Sequence, residues 1–212
     1  RRQRQMCIRD RLEMATLGAG VLHNRSVELA KKHGVQLVVR SSLTKEEGTV
    51  VKERIMMPQA EISGVAGDDD AARISVTGLE DEPGVAFRLF NILAKKNINI
   101  DIILQSVGQN AKKDISFTVK EDDADLAVKT IKEHLPLGSY ADVDATTDVA
   151  KVSIIGSGLI GHSGMAARMF EALYEVGVNI RMISTSEIRV TVIVDRADMV
   201  KAMNAAHEAF EL

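Results

Sequence analysis

Two stretches of the chain share one pattern of apolar and polar positions. In residues 74–106, Ile74 and Val76 alternate with Ser75 and Thr77, and Ala86, Leu89, Phe90 and Leu93 then recur at helical spacing. Alternation reads as a strand with one wet face, and the 3.6-residue recurrence as an amphipathic helix. Residues 152–186 repeat this, with Ala166, Met169, Phe170 and Leu173 on the helix. Gly84 aligns with Gly164, Phe90 with Phe170, Asn99 with Asn179 and Ile100 with Ile180, each 80 residues apart. Gly78 aligns with Gly156 at 78, so the second loop is two residues longer. A repeat of this length is one folding unit used twice.

The first copy continues through the same logic. A strand at 72–78 and an acidic loop at 79–83 lead to a helix over 84–96, which Asn97 breaks. Strands at 98–105 and 114–119 are joined by the Gly108–Asn110 turn. Glu121, Asp122 and Asp123 open a second helix, where acidic side chains suit the N-terminal dipole, and Leu126, Ala127 and Ile131 give it an apolar face. Pro136 and Gly138 end it, and 139–143 supplies a fourth strand. The order is βαββαβ, the ferredoxin-like unit. The second copy has strands at 151–155, 179–184 and 188–194, and helices at 165–176 and 197–210, but no fourth strand. An unassigned strand at 61–66, ahead of the acidic turn Asp68–Asp70, fills that gap and removes a bare sheet edge. The first unit is therefore expected to be inserted into the second.

Upstream, 12–22 reads as a helix, and Asn24 or Ser26 caps a second helix that runs through Lys32 and ends at Gly34. The apolar run Val35–Arg40 reads as a buried strand and Thr49–Val51 as a short one, with 52–58 a linker. This piece is too small to stand alone and reads as the end of a larger α/β domain. The opening Arg1–Arg11 holds five arginines and no clear apolar period. It reads either as a basic arm or as a tag, artefact or scar, and composition favours the second reading.

Composition narrows the function. The 212 residues are 45% hydrophobic and 27% charged, an ordinary globular balance. Aromatics make up only 3%, with no Trp, and net charge is -3, so neither base stacking nor electrostatics points to nucleic acid. No run of about 18 apolar residues predicts a membrane span. The single Cys7 cannot form an internal disulfide, which fits a reducing cytoplasm. No Walker or Rossmann phosphate loop, Cys/His metal cluster or G-x-S-x-G occurs. His162, in the Gly161–Gly164 loop, reads as a turn residue.

Candidate chemistry sits in the loops before the paired helices. Gly84 follows Asp81-Glu82-Pro83 at a helix start, where unpaired backbone N–H groups can hold a carboxylate. Asp81 could accept an ammonium group, and Asn99 and Gln105 bracket the next strand with side-chain amides. Together these could clamp both ends of an amino acid. Equally, Gly84 could be a tight turn, Asp81 a cap and Asn99 a strand start. Ser184-Thr185-Ser186-Glu187 reads either as a ligand rim, with Glu187 meeting an ammonium, or as a polar hairpin turn.

The segments 78–90, 97–107, 114–119, 151–173 and 178–194 resemble the tandem ACT regulatory region of aspartate kinase, and 12–42 resembles the last helices and strand of its kinase domain. The likeness covers about residues 12–212. It implies an α+β chain of two ferredoxin-like ACT units, 71–146 inserted into 60–70 plus 147–212, preceded by a kinase-domain fragment over 12–53. The family phosphorylates the β-carboxylate of aspartate with ATP, towards lysine, threonine and methionine. ATP and Mg are implied for the whole enzyme and no cofactor for this chain, which lacks the family's N-terminal catalytic motifs and is expected not to turn over alone. An internal start at Met56 or Met57 would give a product like the family's small regulatory subunit.

The resemblance also implies an effector, lysine and/or threonine, bound between ACT units of two subunits. One side would be Asp81, Gly84, Val85, Ala86, Asn99, Asp101 and Gln105. The other would be Met165, Ala166, Asn179, Ile180, Ser186 and Glu187. Met165 and Ala166 depart from the family's usual forms, bulkier and then smaller, which leaves effector preference open. Implied partners are a second copy through the ACT units and a full-length catalytic subunit, in the cytoplasm. The alternative is an ACT-type dimerisation module without ligand.

Overall fold

The computed structural model describes residues 4–17, 22–52, 62–107, 112–136, 138–156, 159 and 164–212. All but Lys52 of the linker expected at 52–58, the Gly108–Asn110 turn and His162 with its neighbours lie outside them. The chain divides into two compact units, one of residues 69–150 with 195–197, the other of 1–68, 151–194 and 198–212.

The unit built on 69–150 contains most of β4 (Gly64–Glu80), α3 (Val85–Ala94), β5 (Ile103–Val107), β6 (Lys112–Val119), α4 (Ala124–His134) and the first part of β7 (Asp142–Ile155). Its strand order is β5-β6-β4-β7. β4 and β5 both run antiparallel to β6, with Ile74 and Ile103 each opposite Phe117. Strand alternation turns Ile74, Val76, Ile115 and Phe117 to one face, where Leu89 and Leu93 of α3 and Ala127 and Ile131 of α4 cover them. Phe117 meets Phe90 edge to face at 5.4 Å. Burying each large apolar side chain contributes roughly 1.5–3 kcal/mol.

The other unit repeats the plan. The end of β7, α5 (Met165–Glu175), β8 (Met182–Thr185), β9 (Arg189–Asp195) and α6 (Met199–Ala209) follow in sequence, and the start of β4 completes the strand order β4-β7-β9-β8. Ser63 donates its backbone N–H to the Ile155 carbonyl at 2.6 Å, and Ala141 donates to Thr77 at 2.7 Å, so β4 and β7 run antiparallel. Val152, Ile154, Val190, Val192 and Val194 pack against Met169, Leu173, Ala202 and Ala206.

The strands expected at 61–66 and 72–78 are one 17-residue strand, and the acidic turn expected at 68–70 is strand interior. Asp68 is held by Lys151 at 2.8 Å and Asp70 by Lys120 at 3.6 Å, which removes the reason for the aspartates to seek a turn. The strands expected at 139–143 and 151–155 are likewise one strand, β7. β4 and β7 each give residues to both units. The first strand after α3 begins at Ile103, although Asp101 already donates to the Thr118 carbonyl.

Residues 4–52 belong to the 1–68 part. A three-stranded sheet has the order β1 (Arg4–Cys7), β3 (Thr49–Lys52), β2 (Leu37–Val39), with β1 parallel and β2 antiparallel to β3. α1 (Ile8–Thr16) and α2 (Asn24–Lys32) cover it, with Ile8, Val27 and Ala30 clustered with Val51 of β3. The helix expected over 12–22 thus starts earlier, within the tract set aside on composition, and Ile8 is only 2% exposed. Gly34 takes the left-handed conformation (φ 63) after α2, as its sequence position suggests. The strand expected as buried is an edge strand with Val35 and Val38 exposed, because its apolar run has one covered face rather than two.

Candidate functional site

The two helix starts are built alike. Gly84 precedes α3 at φ 93 and Gly164 precedes α5 at φ 103, both in the left-handed region that L side chains rarely adopt. Both glycines are exposed, and the N–H groups of the following first turn lack intrahelical acceptors. Val85 and Met165 turn their side chains into the two cores, so only their backbone can face a ligand, whereas Ala86 and Ala166 are half-buried.

Strand register separates the candidates within each unit. Asp81 follows Glu80, which stands opposite Lys112 at one end of the β4–β6 ladder, and Gln105 on β5 stands midway along it, opposite Ile115. Asn99 and Asp101 lie at the other end, where Asp101 bonds Thr118 and Thr118 stands opposite Arg73. Seven strand residues at about 3.3 Å each put the ends on the order of 20 Å apart. In the second repeat, Ser186 and Glu187 lie beyond the end of β8, near Ile188, which accepts from Gly156 N–H. Asn179 and Ile180 precede Arg181, which pairs with Ile193 at the opposite end, roughly 16 Å away along the strand. An amino acid is far shorter than either span. The expected clamp of Asp81, Gly84, Asn99 and Gln105 on one ligand within one unit is therefore not formed. Register, which the sequence does not display, decides this.

The acidic candidates have partners. Asp81 lies 2.6 Å from Lys113 Nζ, and Glu187 lies 2.9 Å from the Arg9 guanidinium. Ser186 donates its backbone N–H to the Arg189 carbonyl at 2.8 Å, which closes a hairpin turn. Pattern analysis passes over Arg88, whose side chain reaches back to Glu82 and whose guanidinium lies 3.9 Å from where a Cβ on Gly84 would stand. A cation at a helix N-terminus opposes the dipole, and Glu82 offsets that. The signal was in the repeat: Gly84-Val-Ala-Phe-Arg-Leu-Phe and Gly164-Met-Ala-Ala-Arg-Met-Phe share G-x-A-x-R-x-F. Arg168 instead lies over the Phe210 ring at 5.1 Å.

The edge strands carry exposed apolar side chains: Ile103 (54%) and Leu104 (44%) on β5, and Ile183 (42%) on β8. An open groove of about 540 Å³ between α4 and the start of β7, lined by Val128, Lys129, Lys132 and Val143 among others, includes none of the candidates. Among the described residues, no cluster of His, Cys, Asp and Glu could hold a metal ion, and no helix is long and apolar enough to cross a membrane.

Comparison with known proteins gives the family. The ACT domain family matches residues 74–135 and 152–210. Aspartokinase 2 of Bacillus subtilis is 44% identical over 202 residues, covering 95% of this chain and 49% of that protein. The regulatory subunit of aspartate kinase from Thermus thermophilus is 38% identical, with a TM-score of 0.67 over 72% of this chain and 99% of that one. Aspartate kinase from Synechocystis is 36% identical, with a TM-score of 0.71 over 99% of this chain and 38% of that one. The chain spans about half the length of the curated relatives it matches. With two ACT units and these relatives, the chain belongs to the aspartokinase family and carries its regulatory ACT region.

Proposed function

We propose that this region senses a free amino acid, lysine and/or threonine, at an interface between ACT units of two copies of the chain. Binding there controls, by feedback, the ATP-dependent phosphorylation of the L-aspartate β-carboxylate by the attached kinase domain, whose end is residues 12–53. The single observation behind this reading is the register. Each unit holds its helix-start group and its Asn-Ile group at opposite sheet ends, so one small ligand can use both kinds only if they come from different units. Asp81, Gly84, Val85, Ala86 and Gln105 would face the Asn179–Ile180 end of a partner copy. The exposed apolar edges β5 and β8 give such an association surface to bury. Asn99 and Asp101, and Met165, Ala166, Ser186 and Glu187, would serve a second such contact. The effector biases the arrangement of the dimer by its differential affinity for the two states, and the kinase responds in turn. ATP and Mg belong to the whole enzyme in this reading, and the chain alone does not turn over. Calorimetric titration with lysine and threonine is the test, and no heat from either at concentrations where the dimer forms would refute it.

A second reading, a dimerisation module without ligand, draws on the ion pairs. Both carboxylates that would meet an ammonium, Asp81 and Glu187, already face Lys113 and Arg9. A ligand at 100 times its Kd should add about 2.7 kcal/mol of stability, so melting temperatures unchanged by every proteinogenic amino acid would favour this reading.

A further inference from the structure

The two copies of the repeat share a plan but not a core chemistry. Residues 69–150 contain no methionine, whereas the second copy holds Met165, Met169, Met182, Met199 and Met203, five of the nine in the chain. At a spacing of 80, Met165, Met169 and Met182 stand where the first copy has Val85, Leu89 and Ile102. Helices α4 and α6 have 11 residues each, and aligning their starts sets Met199 on Ala124 and Met203 on Val128. Methionine is unbranched and fills irregular gaps, and its thioether sulfur is open to oxidation.

Burial divides the five. Met165, Met169 and Met182 are at most 7% exposed. Met199 and Met203 are half-buried at the border of the core, as is Val65. They lie four residues apart on α6 and so share a face. That face meets the start of β4 at Gly67, where a Cβ would collide with the Met203 sulfur and stand 3.4 Å from the Met199 sulfur. Glycine thus lets both thioethers lie against the strand backbone. The stretch they hold is lightly fastened otherwise. The ladder with β6 begins only at Ala72, so among the described residues 64–68 are paired on the β7 side alone.

We propose that Met199 and Met203 form a reversible oxidation site, with hydrogen peroxide as the oxidant and the start of β4 as the element released. The sulfur lone pair attacks one peroxide oxygen and the O–O bond breaks. That oxygen stays on sulfur as a sulfoxide, and the other takes up the displaced proton and leaves as water, so the thioether is oxidised as the peroxide is reduced. A sulfoxide at either position then has two courses. It buries an unpartnered oxygen against β4, or it turns out to water and uncovers Gly67. Both free the strand. Methionine sulfoxide reductases reverse the change, one enzyme for each epimer.

The test uses the full 212-residue chain carrying Cys7→Ser, which removes the free thiol as a competing site. After hydrogen peroxide, peptide mass spectrometry should show sulfoxide at Met199 and Met203 forming about tenfold faster than at Met165, Met169 and Met182. Hydrogen exchange at 64–68 and in α6 should then speed about five- to 150-fold, the effect of one unsatisfied buried acceptor, while β6 and α4 stay unchanged. The two reductases together should restore protection. Met199→Leu with Met203→Leu conserves volume and keeps Met14, whose methyl lies at Gly64, as an internal control. Its exchange at 64–68 should not respond to peroxide. Equal oxidation of all five methionines would overturn the proposal, as would sulfoxide at Met199 and Met203 with exchange at 64–68 unchanged. Loosening that persists in the leucine variant, or that the reductases do not reverse, would overturn it as well.

Discussion

Gly84→Asp probes the carboxylate cradle, and Gly84→Ala is its control. At φ 93 any L residue carries backbone strain of about 1–2 kcal/mol. A Cβ there meets only the Arg88 guanidinium at 3.9 Å, an ordinary contact, so strain is the whole of the steric cost. In a chain of this size each kcal/mol lowers the melting temperature by about 2–4 °C, so both variants should melt about 2–8 °C lower. Binding separates them. A new carboxylate about 4 Å from the ligand's own, at an effective dielectric of about 20, repels it by about 4 kcal/mol. That is roughly a thousandfold in Kd at about 1.4 kcal/mol per decade, and Arg88 screens part of it. Calorimetric titration with lysine and threonine should therefore show Gly84→Ala within a few fold of the unaltered chain and Gly84→Asp at least about a hundredfold weaker. If Gly84→Asp melts lower yet binds as tightly as Gly84→Ala, the ligand carboxylate does not dock at this helix start.

Three further outcomes follow from the packing and charges. Phe117→Ala, at a fully buried ring stacked edge to face on Phe90, should cost about 3–5 kcal/mol in urea unfolding. Lys151→Ala leaves the Asp68 carboxylate inside the sheet without its cation and should cost about 3 kcal/mol, while Lys151→Ala with Asp68→Ala should recover part of that in a double-mutant cycle. Burial pushes the Asp10 carboxyl above its ordinary value of 3.8, against opposing contributions from Ser63 and Arg9. The folded state then holds this proton more tightly than the unfolded one, so stability falls as pH rises from 3.8 through the folded-state value. Asp10→Asn should gain on the unaltered chain across that rise and lose its advantage below it, as a pH series of chemical denaturation would show.

The sequence displayed what is local and periodic. Leu89, Phe90 and Leu93, and Met169, Phe170 and Leu173, marked α3 and α5 to within two residues at either end. Asn97, at φ 58, stopped α3 as a left-handed residue should. The run Asp68–Asp70 concealed a continuous strand, because its partners, Lys151 and Lys120, are distant in sequence. The candidate site was legible as residue types and invisible as geometry. Gly84 and Asn99 belong to one repeated motif, yet the ladder that sets Glu80 opposite Lys112 and bonds Asp101 to Thr118 puts them at opposite ends of a sheet. Arg9 was hidden by its arginine-rich surroundings, and only the fold brings it to Glu187.

The nesting of 69–150 inside the other unit gives synthesis an order. The inner unit has its strands and helices in hand once Ala150 has left the ribosome, while the outer one holds residues 1–68 and still lacks the end of β7, α5, β8, most of β9 and α6. At about 5–20 residues per second, residues 151–212 follow over roughly 3–12 s. One late arrival belongs to the inner unit: Arg196, which donates to Glu121 at 2.7 Å and to the Thr147 carbonyl at 2.6 Å. Until it emerges, Glu121 waits without that cation, so the inner unit is formed early and latched late.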